Sequence, residues 1–150
     1  RGENRGIHCL EPQANDGTWS VKERWHQEEV ALNMSTAVVN GDWLFGFSHY
    51  NKGQFFCLDI ESGKVLWLGP GRTGDNVMFL SAPGCIVALI SDGRMQIIAA
   101  RGDRFEKVAS YRVAASNTYA PPVLLPNGFL VKDLTKLTFW SRPYPATSSR

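Results

Sequence analysis

Three histidines, three cysteines and one glycine-rich stretch are the features of this 150-residue chain whose types could carry chemistry. His8, His26 and His49 fall on a strand, at a strand end and in a loop. None has the HxH or HExxH spacing that sets two imidazoles on one face, so no metal centre is expected among them. Cys9, Cys57 and Cys85 lie inside apolar runs without a CxxC pair, which reads as small buried hydrophobes; a disulfide stays open. No GxSxG elbow marks a serine hydrolase. Gly69-Pro70-Gly71-Arg72-Thr73-Gly74-Asp75-Asn76 has enough glycines and donors to cradle an anion. It lacks the GK[ST] ending of a phosphate loop and leads into a strand, not a helix. It is read instead as a crossover loop, with Arg72, Thr73, Asp75 and Asn76 as a contact surface. Arg101-Gly102-Asp103 spells an adhesion tripeptide that a hairpin turn explains, and Asn33-Met34-Ser35 is a glycosylation sequon only in a eukaryotic secretory setting.

The elements that must position these residues are strands. Residues 54–67 read as strand, turn, strand: two apolar runs flank Asp59 to Lys64, where Gly63 reaches positive φ at little cost. Trp67 ends the second run, and a residue with a large apolar ring and one N–H suits a seam between packed sheets. An upstream copy runs from Cys9 to Trp25, with residues 11–17 predicted as a longer loop. Turns at Gly41, Gly84 and Gly128 stand 43 and 44 residues apart. Four short strands per unit at that period predict the blades of an all-β propeller. The units are residues 7–25 (the end of one blade), 36–67, 77–113 and 122–140 (a partial blade), with 141–150 as a polar tail. Runs such as Cys85 to Ile90 are apolar at every position, as strands buried on both faces require.

The run Leu58-Asp59-Ile60-Glu61-Ser62-Gly63-Lys64-Val65-Leu66-Trp67 resembles the repeat of quinoprotein-like (PQQ-like repeat) β-propellers, in which an Asp, a Ser/Thr-Gly-Lys turn and a Trp mark a blade's last two strands. Trp25, Trp67, Asp59 and Gly63 are then the blade anchors, and Tyr111 falls near the Trp position of the third copy. The resemblance implies one of two functions. One is a non-catalytic scaffold that presents inter-blade loops to a protein or ligand, with envelope-assembly lipoproteins as precedent and an extracytoplasmic, periplasmic location. The alternative is the carboxy-terminal part of a quinone-dependent dehydrogenase. That family stacks pyrroloquinoline quinone on a Trp, holds calcium with Glu, Asn and Asp, and often carries adjacent cysteines. No cysteines are adjacent here and no such carboxylate set is recognisable, so no cofactor and no catalytic residue is expected.

Composition narrows the partners. The net charge is +2 with both signs interspersed, which excludes a continuous basic track for nucleic acid. No apolar run approaches the about 18 residues of a membrane span. About three blade equivalents cannot close a ring that needs at least about four. The expected partners are therefore a bound protein, the remaining blades of a longer polypeptide, or further copies of the chain.

Overall fold

The structure is a computed structural model, described here for residues 6–141. Thirteen strands follow one another, with no α-helix among the described residues: β1 (Ile7–Asn15), β2 (Thr18–Gln27), β3 (Val38–Asn40), β4 (Trp43–Ser48), β5 (Gln54–Asp59), β6 (Val65–Leu68), β7 (Val77–Ala82), β8 (Cys85–Ile90), β9 (Arg94–Ala99), β10 (Lys107–Arg112), β11 (Val123–Leu125), β12 (Gly128–Lys132) and β13 (Leu137–Ser141). They form four antiparallel meanders, β1–β2, β3–β6, β7–β10 and β11–β13, which do not close into a ring. The tail read at 141–150 begins inside β13 at Ser141, and the rest of it lies outside the described residues.

Each sheet packs face to face on the next, and the two faces of one strand serve different neighbours. On β8, Ile86, Ala88 and Ile90 join Phe45, Phe47, Phe55, Cys57 and Trp67 of the preceding sheet. Val87 and Leu89 of the same strand face the other way, toward Met95, Val113 and Val131. On β5, Phe55 and Cys57 look forward, while Phe56 and Leu58 look back onto Val30, Ile7 and Trp25. Side chains alternate along a strand, so burial on both faces removes the polar half of the pattern. Each buried Phe, Leu or Ile contributes about 1.5–3 kcal/mol of transfer free energy.

The turns differ from the sequence reading at two places. Residues 11–15 are strand, not loop, and pair with 18–22. Asp16 and Gly17 turn alone, at φ 49° and 80°, and two successive positive φ angles match the twist of a two-residue hairpin. The second difference is at the seam position of the third sheet. Cys57 pairs with Trp67, but the corresponding Ile97 of β9 pairs with Ala109. The β9–β10 turn, closed by Ala99 N–H to the Glu106 carbonyl, is two residues longer than the one closed by Asp59 N–H to the Lys64 carbonyl. Tyr111 therefore sits two places beyond the seam position and is 57% exposed.

The last strand of each of the first three sheets carries a bulge at the same step. The register skips Arg24, Leu66 and Val108, spaced 42 residues apart. A bulge adds local twist and reverses which face the following side chains occupy. After the first two bulges come the anchors Trp25 and Trp67. Trp25 Nε1 donates to the Ile60 carbonyl at 3.0 Å, and Trp67 Nε1 donates to the Arg101 carbonyl at 2.8 Å. Each indole thus docks on the outer turn of the next sheet. Gly63 makes room for the first: its φ is +70°, and a Cβ there would stand 2.5 Å from the Trp25 ring. Asp59 shapes the same turn by accepting from Ser62 N–H at 2.8 Å and Ser62 Oγ at 2.6 Å. Those two bonds hold its carboxyl below the usual carboxylate range.

Candidate binding face

The glycine-rich loop leaves β6 at Gly69, whose N–H donates to the Phe55 carbonyl at 2.8 Å and whose carbonyl accepts from Gln54 Nε2 at 2.6 Å. It then folds back over the turn between β4 and β5. Arg72 N–H donates to the Asn51 carbonyl at 2.9 Å, and Thr73 N–H donates to the Gly53 carbonyl at 3.0 Å. Thr73 Oγ1 closes the loop on the Pro70 carbonyl at 2.9 Å. From below, Arg94 Nη2 reaches the Thr73 carbonyl at 2.6 Å while its Nε is held by Asp92 at 2.7 Å. Asn76 ties the far end to β8 through Ser91, whose N–H donates to its carbonyl at 2.9 Å. Its side-chain Oδ1 is buried without a hydrogen-bond partner among the described residues.

The contact residues named from sequence thus divide by role. Arg72 and Asp75 are exposed, whereas Thr73 and Asn76 are half-buried and position the loop. Sequence reasoning missed Asn51, Lys52, Arg94 and Asp92. Asn51, Lys52 and Arg72 all adopt left-handed backbone, at φ 53°, 59° and 60°. Such conformations are unfavourable by roughly 1–2 kcal/mol for a residue with a Cβ and persist where surrounding bonds enforce them. The three border one depression of about 470 Å³, with Gly71 as its remaining wall. Neither Lys52 nor Arg72 forms an ion pair among the described residues. The depression therefore offers two cations on a braced backbone, an arrangement that accepts a carboxylate or a run of carbonyl oxygens.

The other candidates resolve differently. Arg101 grips Asp103 within its own turn, Nε to Oδ1 at 2.5 Å and Nη2 to Oδ2 at 2.7 Å, so the tripeptide holds the turn closed. Cys9, Cys57 and Cys85 are free thiols. Burial, and then the charge of Asp59, pushes the Cys57 thiol up to about 12, far from the reactive range. Trp43 lies edge-on to Phe45 at 6.5 Å and covers Gly102 on the neighbouring turn, as a seam residue does. His49 stacks edge-on to Tyr50 at 4.7 Å, while His8 and His26 meet across β1 and β2. Among the described residues, no helix is long and apolar enough to cross a membrane.

No protein-family profile matches the chain, and no curated protein matches it. Among solved structures it is similar to BamB from Moraxella catarrhalis, with a TM-score of 0.64 and 19% identity over 79% of this chain and 36% of that one. Two computationally designed proteins, Ika8 and Ika4, align at a TM-score of 0.43 and 11% identity, over 95% and 78% of this chain and 57% and 93% of theirs. The chain thus spans about a third of the length of the BamB structure it matches. That likeness, with the four stacked antiparallel meanders, shows an all-β fold of the β-propeller kind.

Proposed function

We propose that the chain is a non-catalytic β-propeller scaffold of the PQQ-like repeat kind, acting outside the cytoplasm and binding a protein partner through the face built by residues 50–53 and 70–76. The observation that carries this reading is the convergence of three left-handed, non-glycine residues on one depression, Asn51, Lys52 and Arg72. Left-handed backbone at Asn51 and Arg72, joined by the Arg72 N–H to Asn51 carbonyl bond, supports a surface shaped for contact rather than a loop left to solvent. The unpaired Lys52 and Arg72 select an acidic segment of the partner, and Asp75 at the loop's far side adds a polar rim. The PQQ-like repeat assignment rests on the Asp59 turn and on the Trp docks at Trp25 and Trp67, which recur at the same step of successive sheets.

The test is affinity capture from extracts of the source cells with the parent chain and with the charge-reversed pair Lys52→Glu, Arg72→Glu. A protein retained by the parent and lost with the pair is expected. Identical capture by both chains would remove the loop face from the reading. A parallel titration with pyrroloquinoline quinone and calcium separates scaffold from dehydrogenase. The scaffold shows no saturable quinone binding and no dye reduction with alcohols or sugars; either signal would replace it with the enzyme.

A further inference from the structure

His8 of β1 and His26 of β2 are direct register partners, and their rings stack with centroids 3.8 Å apart and planes 11° from parallel. In an unbroken strand Glu23, three residues before His26, projects from the opposite face. The bulge at Arg24 cancels that half-step. Leu10 pairs with Glu23 and His8 with His26, and since positions 8 and 10 share a face, Glu23 and His26 share it too. Glu23 Oε2 accordingly lies 2.7 Å from His8 Nδ1. One donor atom from each of His8, Glu23 and His26 stands within 4.8 Å of the other two, with His8 half-buried and the other two exposed.

Two imidazoles and a carboxylate are the nitrogen and oxygen donors that zinc and its first-row neighbours take. Bonds of about 2.0–2.2 Å at tetrahedral angles place such donors roughly 3.3–3.5 Å apart. Bringing the present set to that spacing requires the imidazole stack to open, so that both ring planes turn toward one ion. A second observation points the same way. His8 Nε2 is buried without a hydrogen-bond partner among the described residues, so the imidazole keeps one nitrogen unmatched while Nδ1 faces the Glu23 carboxylate. The Glu28 carboxylate stands 3.8 Å from His26 Nδ1 and can orient that ring in the same manner. Arg24 is engaged with Glu11 at 3.2 Å and Glu61 at 3.9 Å.

We propose that His8, Glu23 and His26 form a binding site for a first-row divalent cation of the zinc type, assembled on one face of the β1–β2 hairpin by the bulge at Arg24. Water fills the remaining positions, and the ion ties the two strands together at the end where the hairpin meets the next sheet through Gln27 Nε2 and the Gly63 carbonyl.

The experiment is calorimetric titration of the chelator-treated 150-residue chain with zinc chloride, repeated with cobalt so that visible absorption reads the ligand field. One ion per chain is expected. His8→Gln, His26→Gln and Glu23→Gln should each weaken binding by at least about tenfold, while Cys9→Ser leaves it unchanged. A measurement on the parent chain covers any variant that folds poorly: zinc should move the imidazole resonances of His8 and His26 and not those of His49. Absence of saturable binding, affinity kept in the His8→Gln, His26→Gln pair, loss in Cys9→Ser, or movement at His49 instead would each overturn the site.

Discussion

Truncating Trp67 to Ala removes an indole packed between the second sheet and the third. The indole is 8% exposed, lies 5.9 Å from the Phe45 ring and 5.5 Å from the Phe105 ring, and donates to the Arg101 carbonyl at 2.8 Å. Deleting it returns roughly 150 Å² of apolar contact, about 4 kcal/mol at 25 cal/mol per Å². Leaving the Arg101 carbonyl without its donor adds about 1 kcal/mol, offset in part as neighbours relax into the space. The expected loss is therefore about 3–5 kcal/mol. Trp67→Phe keeps most of the apolar body and loses the N–H, for a loss of about 1–2 kcal/mol. Urea unfolding followed by far-ultraviolet circular dichroism gives both values from the shift of midpoint at constant slope. Trp19→Ala is the control, because that ring is 74% exposed on β2 and its loss should stay within about 0.5 kcal/mol. A Trp67→Ala chain within about 1 kcal/mol of the parent, or indistinguishable from Trp19→Ala, would refute the docking of the indole at a packed seam.

Three further outcomes follow from the same geometry. Gly63→Ala sets a side chain at φ +70° and a Cβ 2.5 Å from the Trp25 ring; a loss of at least about 2 kcal/mol in the same urea assay is expected. Asp133 accepts from the N–H groups of Thr135 and Lys136, and these bonds lower its carboxyl to about 2. Its contribution is complete above the unfolded value of about 3.9 and disappears as pH falls through the folded one. Midpoints of the parent and of Asp133→Asn should therefore converge as pH drops below about 4, whereas a gap unchanged down to about pH 2 contradicts the cap. Cys57, with its thiol raised to about 12, should resist a thiol reagent at mildly alkaline pH while Cys9 and Cys85 react. Peptide mapping checks this before and after unfolding.

The strands were legible because their turns use residues with a mechanical reason to be there, such as Asn40-Gly41, Pro83-Gly84 and Asn127-Gly128, and because doubly buried strands show as unbroken apolar runs. What stayed hidden depends on register. The length of β1 was masked by Pro12 and Asn15, which read as loop residues although Asp16 and Gly17 make the whole turn. Tyr111 stands four places beyond the Cys57–Trp67 spacing carried onto Ile97, and the longer β9–β10 turn, visible only in the pairing of Ile97 with Ala109, accounts for two of them. The His8 and His26 pair comes from different strands, and Glu23 joins them because of a bulge that no spacing rule contains. Arg94 carries no motif; it matters because it meets the Thr73 carbonyl across 21 residues of chain. The contact loop was visible as composition, while the brace beneath it and the left-handed turn beside it were not.

The sheets are lapped like roof tiles, and across each of the first two joints an indole docks on the turn of the next sheet, whereas the third sheet sends none forward. Ala109 stands where Trp25 and Trp67 stand in the sheets before it, and Ser116, in the connection after β10, accepts from Leu134 N–H of the Asp133 turn at 3.2 Å. The seam is fastened from the other side, by Trp140 Nε1 on the Val113 carbonyl at 3.0 Å. Beside it runs a gap of about 730 Å³ walled by Met95, Ile97, Tyr111, Phe129 and Trp140. In a row of units whose stability is a sum of neighbour contacts, a gap of this kind subtracts from its joint. That joint is held by Trp140 and by the contacts of Val131 and Phe129, with no indole passed forward from the third sheet.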